Sequence, residues 1–136
     1  MNNRREFLIK GSATMVSLLA MGTVKPAQAT EKSFTGIVYT KENPGKWRKK
    51  VGSHLPSIHI ENGRVNLSTK HPMSARHYII RHTLVLEDGT VVGAKTFYPD
   101  TEKATSDHTL PAGYKGKIYA TSFCNLHDFW VNEATV

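Results

Sequence analysis

Residues 115–123 read Lys-Gly-Lys-Ile-Tyr-Ala-Thr-Ser-Phe, and this stretch decides the fold class. Ile118, Ala120 and Ser122 fall on one side of an extended chain, and the residues between them fall on the other, because successive side chains of a β-strand point to opposite faces. No stretch beyond Thr30 sustains apolar residues at the three-and-four spacing of an amphipathic helix over several turns. The sequence therefore predicts a protein built from strands.

Further strands are predicted on both sides of short turns. Asn62-Gly63 and Glu87-Asp88-Gly89 are typical of hairpin turns, and Trp130 and Val131 close the domain. The other predicted strands are residues 34–40, 55–61, 63–67, 78–86 and 91–98. The connecting segments are a long loop at 41–53 and a polar turn at 99–107. Short strands at this spacing predict an all-β fold, an immunoglobulin-like antiparallel β-sandwich.

The first 29 residues are interpreted as an export signal. Residues 3–8, Asn-Arg-Arg-Glu-Phe-Leu, resemble the twin-arginine pattern, and Ala27-Gln28-Ala29 is typical of a peptidase site. The apolar segment between them is shorter and weaker than the roughly 20 residues of a spanning helix. We therefore expect a twin-arginine signal peptide at 1–29 and a mature domain at 30–136. The domain would be exported folded to the periplasm, with no stable membrane insertion once the signal is removed.

The charge of the chain argues against one class of partner. The formal net charge is +7, and removing the signal's four basic and one acidic residues leaves 14 basic and 10 acidic residues, or +4. No basic stripe with interleaved aromatic residues accompanies this excess, so we expect no nucleic-acid partner. The basic cluster at 46–50 is interpreted either as a solvated loop or as a means of steering a small anion to a site.

Cys124 is the only cysteine, and His127 follows it by three residues. In an oxidising compartment an unpaired cysteine is a liability unless it is buried or bound to a metal. His54, His71 and His77 lie beside predicted strand ends, and the loops of a sandwich cluster at its two ends. One thiolate with several imidazoles indicates a metal site. His59, His82 and His108 are interpreted as structural or surface residues, the first two in strands and the third in a polar turn.

Three segments resemble the superoxide reductase family, the neelaredoxin and desulfoferrodoxin group. They are residues 54–58 (His-Leu-Pro-Ser-Ile), residues 71–79 (His-Pro-Met-Ser-Ala-Arg-His-Tyr-Ile) and residues 124–130 (Cys-Asn-Leu-His-Asp-Phe-Trp). The resemblance implies one mononuclear non-haem iron that cycles between ferrous and ferric states and reduces superoxide to hydrogen peroxide. It implies a square-pyramidal site with four equatorial histidines and an axial cysteine, here His54, His71, His77, His127 and Cys124.

The resemblance also implies surroundings and partners. Leu126, Asp128 and Trp130 are expected around the ligands, with the backbone amides of Leu126 and His127 near the sulfur. The chain has no four-cysteine electron relay, so an external electron donor is expected. A homo-oligomer is expected as well, because assemblies of sandwiches are common in the family.

Two departures from the family pattern bear on mechanism. Gly52-Ser53 stands where much of the family has a Glu-Lys pair, and the nearest upstream carboxylate is Glu42. A glutamate cap on the ferric iron is therefore not expected, and Lys49 or Lys50 is the candidate for superoxide steering. Asp128 replaces a family glycine, which could have a backbone role.

Two other functions remain open from the sequence. Residues 116–127 also resemble the copper-binding corner of a cupredoxin-like electron carrier, although no methionine follows His127. The missing lysine before His54 leaves a metal-binding accessory domain without turnover as the other alternative.

Overall fold

The structure is a computed structural model that describes Phe34, residues 36–100 and residues 103–136. The predicted signal peptide at 1–29 and its peptidase site lie outside these residues. Strands dominate the part of the chain that is described, with a 3-10 helix and one short α-helix near its start. The elements are β1 (Val38–Tyr39), the 3-10 helix (Gly45–Lys50), α1 (Val51–His54), β2 (Ser57–Glu61), β3 (Arg64–Ser68), β4 (Ile79–Leu86), β5 (Val91–Thr96), β6 (Thr105–Thr109), β7 (Lys117–Cys124) and β8 (Asp128–Thr135).

The strands form two sheets, which confirms the predicted sandwich. The larger sheet has the order β1-β8-β7-β4-β5, and the smaller has the order β2-β3-β6. Neighbouring strands are antiparallel with one exception, because β1 pairs with β8 in parallel. The sandwich is therefore antiparallel, as predicted, except at that edge.

Alternation along the strands explains the core. On β7, Ile118, Ala120 and Ser122 are fully buried, as their spacing predicts. On β3, Val65 and Leu67 are buried in the same way against Leu84 of β4. Burial of such side chains contributes about 1.5–3 kcal/mol each. The apolar faces of the two sheets thus form one core, and a second, smaller cluster is made by Ile79, Phe97, Ala104 and Cys124.

The hairpin turns follow their residues. Asn62 and Gly63 join β2 to β3 with φ angles of 49° and 75°. Positive φ at both central positions suits the twist of the flanking strands, and an Asn-Gly pair adopts it at little cost. The turn at Glu87-Asp88-Gly89 joins β4 to β5 as predicted.

Two predictions about connecting segments are wrong. The predicted turn at 99–107 gives way to β6 in its second half, and His108, expected in a polar turn, lies buried in that strand. The inward positions of β6 carry Ser106 and His108, so the sequence shows no apolar alternation there. The predicted loop at 41–53 contains the 3-10 helix and most of α1.

None of the described helices has the length and apolar character needed to cross a membrane.

Candidate metal centre

Five side chains meet at the end of the sandwich where β3 and β7 end and β2, β4 and β8 begin. Every strand end contributes through the residues beside it, so the fold itself makes the cluster. One nitrogen or sulfur atom from each side chain lies within 4.8 Å of the corresponding atoms of the others. The five residues are His54, His71, His77, Cys124 and His127. The structure therefore brings together all the residues that the sequence proposed as ligands.

Four imidazole nitrogens form a closed ring with nearly equal edges. His127 Nδ1 lies 2.8 Å from His54 Nε2 and 3.0 Å from His77 Nε2. His71 Nε2 closes the ring, 3.0 Å from His77 Nε2 and 3.1 Å from His54 Nε2. The centre of a square with sides of about 3.0 Å lies about 2.1 Å from each corner, close to an imidazole–metal bond length of about 2.0–2.1 Å. The ring therefore has the dimensions of an equatorial set of ligands.

The ring places lone pairs against each other. His71 Nδ1 faces the carbonyl oxygen of Pro72, and His54 Nδ1 faces the carbonyl oxygen of Lys50 at 3.2 Å. A carbonyl only accepts hydrogen bonds, so each Nδ1 carries the proton and each Nε2 presents a bare lone pair. Two such lone pairs at 3.1 Å repel unless a cation lies between them. The donor set therefore fits a metal ion.

The sulfur of Cys124 lies outside the ring. It is 3.5 Å from His127 Nδ1 and 3.8 Å from His71 Nε2, longer than any ring edge. Burial raises the pKa of the thiol, and the backbone N–H groups of Leu126 and His127 oppose this by donating to the sulfur. A bound cation reverses the balance, because a thiol that coordinates a metal is deprotonated.

Burial holds the imidazoles in the neutral form that binds metals. The pKa of His54 is lowered to about 3, first by burial and then by the charges that His71 and His127 would carry. Burial is also the main cause of the lowered pKa of His71, His77 and His127. His54, Cys124 and His127 are buried, whereas His71 and His77 are only partly covered, so the site opens to solvent beside these two.

Comparison with known proteins agrees with this donor set. The family described as desulfoferrodoxin matches residues 45–133. The chain belongs to the desulfoferrodoxin family. It is 32% identical to a superoxide reductase of Thermococcus kodakarensis over 108 residues, which covers 68% of this chain and 92% of the relative. A superoxide reductase of Pyrococcus furiosus is also 32% identical, over 117 residues, with 68% and 93% covered. The solved structure of a superoxide reductase (neelaredoxin) from Ignicoccus hospitalis has a TM-score of 0.64 at 28% identity, covering 77% of this chain and 98% of that one.

The residues directly before His54, where the resemblance implies a Glu-Lys pair in much of the family, are helical in this chain. Ser53 Oγ lies 2.8 Å from His54 Nδ1 and donates to the carbonyl oxygen of Lys50 at 3.2 Å. Ser53 thereby accepts a hydrogen bond from His54 Nδ1–H, which fixes the tautomer of this imidazole. Lys50 is half-buried, and its positive charge lowers the pKa values of His71, His77 and His127. Lys49 is exposed. The structure therefore distinguishes the two lysines that the sequence left equivalent.

Asp128 occupies a position that requires unusual backbone geometry. Its φ is 60°, in the left-handed region that favours glycine, which fits the glycine that the resemblance implies at this position. Asp adopts this conformation more readily than most residues. The residue pairs with Cys124 across β7 and β8, at the narrow end of the hairpin that carries two candidate ligands.

Two residues that support the candidate metal centre, Asn125 and Trp47, were not predicted from the sequence. The side chain of Asn125 accepts from the backbone N–H of Tyr78 at 3.0 Å and donates to the carbonyl of Arg76 at 2.9 Å. It thereby ties the cysteine turn to the residues that flank His77. The position of Asn125 directly after Cys124 was the one feature of the sequence that could have indicated this role.

Aromatic rings pack against two of the histidines. Trp47 of the 3-10 helix meets His127 edge-on, with ring centroids 4.4 Å apart, and the buried indole nitrogen has no hydrogen-bond partner. Nothing in the spacing of the basic cluster singled out this residue. Trp130 is fully buried, lies 5.6 Å from His54 between ring centroids, and donates from Nε1 to the carbonyl of His127 at 3.0 Å. These contacts hold the imidazoles in place.

Proposed function

We propose that the protein is a superoxide reductase that reduces superoxide to hydrogen peroxide at one mononuclear non-haem iron. The residues that would hold the iron are His54, His71, His77, His127 and Cys124. The observation that supports this most is the closed ring of four imidazole nitrogens with one sulfur beside it. Iron supplies the one-electron ferrous/ferric couple for the reaction, in which superoxide, one electron and two protons give hydrogen peroxide.

The number of donors favours iron over a blue-copper site. A cupredoxin-like centre uses two histidines and a cysteine, with a weak axial ligand. Such a centre would leave two of the four histidines in the ring unused. The neutral imidazoles and the single thiolate would together suit a ferrous ion.

Lys50 is the residue that attracts the substrate in this proposal. Superoxide is an anion, and a positive charge at the mouth of a site raises the rate of encounter. Lys50 is close enough to lower the pKa values of three candidate ligands and of Cys124, while exposed Lys49 serves as its natural control. Lys50 would thereby take the part of the lysine that the resemblance implies directly before the first ligand in much of the family.

The electron comes from a separate donor. Within residues 34, 36–100 and 103–136, a single His/Cys/Asp/Glu cluster has the dimensions of a metal site. The described domain therefore offers no second centre to store the electron.

We also propose that residues 1–29 direct export by the twin-arginine route and that the mature domain acts in the periplasm. The support is the Arg4-Arg5 pair followed by Phe-Leu and the Ala27-Gln28-Ala29 site.

The mature domain would assemble into a homo-oligomer without lasting membrane insertion. Exposed Ile37 and Phe129 give it apolar surface for such a contact. Fractionation of cells, the mass of the mature chain, and light scattering test these three points.

The decisive experiment is metal analysis with electron paramagnetic resonance, on the oxidised and then the reduced protein. One iron per chain, with a high-spin ferric signal that superoxide regenerates from the reduced form, is the expected result. A copper hyperfine pattern would instead identify an electron carrier. Iron that is reduced but does not react with superoxide would identify an accessory domain.

A further inference from the structure

A layer of polar side chains crosses the core between the apolar cluster and the metal centre. Four segments each contribute one inward-facing residue to it, and all four are at most 4% exposed. On β7 and on the segment after β3, the preceding inward position belongs to the apolar core, and a candidate ligand follows two residues later. The four residues, here called the polar layer, are Thr69 after β3, His82 of β4, Ser106 of β6 and Ser122 of β7.

The polar layer is a continuous chain of hydrogen bonds with one direction. Thr69 Oγ1 donates to Ser122 Oγ at 3.1 Å and lies 2.9 Å from His82 Nε2. A hydroxyl has one proton, so Thr69 accepts from His82 Nε2–H, and His82 Nδ1 must then accept from Ser106 Oγ at 3.0 Å. Ser106 in turn accepts from His108 Nε2 at 3.0 Å. Each member therefore has a defined donor or acceptor role.

The presence of buried polar residues at these core positions has to be explained, because apolar residues would fill the same space. A buried hydroxyl or imidazole N–H costs about 1–3 kcal/mol when it lacks a partner, and a satisfied network contributes specificity more than stability. The apolar cluster below already holds the two sheets together. The polar layer is placed instead where two ligand-bearing segments approach each other.

Thr69 and Ser122 each stand two residues before a candidate ligand. The backbone carbonyl of Thr69 accepts a hydrogen bond from the N–H of His71 at 2.8 Å. The backbone N–H of Thr69 donates to the carbonyl of Ala104 at 2.9 Å. Ser122 shares the buried face of β7 with Cys124. The Thr69–Ser122 bond therefore joins the segment that carries His71 to the strand that carries the sulfur. His82 orients that bond from β4, where it pairs with Ser122.

We propose that Thr69, with His82 behind it, is a positioning residue that fixes the distance between the Cys124 sulfur and the His71 imidazole. This inference rests on the proposed iron site. Loss of the Thr69 hydroxyl leaves His82 Nε2–H unpaired and frees Ser122, so the sulfur and the His71 ring lose their common support. The sulfur–imidazole distance of 3.8 Å is then no longer held by the core.

The test compares Thr69→Val, which removes the hydroxyl at nearly constant shape, with Thr69→Ser, which keeps it. Ser122→Ala is a milder variant, because His82 keeps its bond to Thr69. Thr121→Val is the matched control on β7, where Thr121 lies off the buried face that carries Ser122. For each iron-loaded protein, the measurements are the energy of the sulfur-to-iron charge-transfer band and the ferrous-iron affinity by competition with a chelator. Thermal unfolding is recorded alongside.

We expect Thr69→Val to shift the charge-transfer band and to weaken iron binding about tenfold, the lower end of the loss seen for residues that support ligands. Thr69→Ser and Thr121→Val should stay within about twofold of the unmodified protein, and Ser122→Ala should fall between. A Thr69→Val protein that melts earlier but keeps its band and affinity would overturn the positioning role. Equal losses in Thr69→Ser and Thr69→Val would overturn it too, by assigning the effect to the methyl group. An unmodified protein that shows no sulfur-to-iron band would overturn the iron site itself.

Discussion

Between about pH 7 and pH 5 the unmodified protein should lose about 2 kcal/mol of its free energy of unfolding because of His82. Replacing His82 should remove this loss. His82 is fully buried, and its pKa is lowered from 6.5 to about 4. The largest cause is burial, followed by the positive charges of His108 and Lys95. The unfolded chain takes up a proton at this histidine near pH 6.5, whereas the folded chain resists protonation until about pH 4. Stability due to neutral His82 is therefore complete above the unfolded pKa and is lost as the pH falls through the window between the two values.

The magnitude follows from the shift. About 2.5 pKa units at about 1.36 kcal/mol each give a total loss of about 3.4 kcal/mol by about pH 3, of which about 2 kcal/mol is lost by about pH 5. Denaturant unfolding at about pH 7 and pH 5, with saturating metal throughout, measures it. His82→Gln and His82→Leu both abolish the titration but differ in hydrogen bonding. They should differ from each other in stability and agree in losing this pH dependence. If both retain the full pH dependence of the unmodified protein, the reasoning about His82 is refuted.

Four further changes test the site and its surroundings. Cys124→Ser should abolish the sulfur-to-iron charge-transfer band seen by absorption, since no other cysteine exists in the chain; a variant that keeps the band removes Cys124 from the ligand set. Lys50→Ala should slow oxidation of the ferrous protein by superoxide about tenfold at low salt and less at high salt, while Lys49→Ala changes it little, as pulse radiolysis would show. Equal effects of the two lysines would contradict the assignment. Asn125→Ala should weaken ferrous-iron binding about tenfold in chelator competition, because it frees the cysteine turn from the residues beside His77. Asp128→Val should destabilise the fold by about 1–3 kcal/mol in denaturant unfolding and Asp128→Gly should not, because φ at this position is 60°; equal stabilities would show that the backbone strain is negligible.

The sequence reveals features that follow a period or a motif and misses those that depend on contact between distant segments. Ile118, Ala120 and Ser122 mark β7 because their spacing matches the pleat of a strand. The sequence does not mark β6 in this way, because polar Ser106 and His108 fill its inward positions. Ser106 is bonded there to His82 of β4, and His108 is bonded to Ser106. The same holds for Trp47, whose contact with His127 joins residues 80 positions apart in the chain.

Which of the two lysines lies on the side of the candidate metal centre depends on local structure that the sequence did not predict. In an irregular loop, Lys49 and Lys50 would be equivalent candidates. In the structure, the residues from Lys50 to His54 have helical conformation, and the N–H of Leu55 bonds to the carbonyl of Val51. At about 100° per residue in α1 and about 120° in the 3-10 helix, Lys50 lies about 40° from His54 around the helix axis, and Lys49 lies about 160° away. The helical turn thus directs Lys50 to the side of the metal centre and Lys49 to solvent. The proposed role of Lys50 in attracting superoxide rests on this placement.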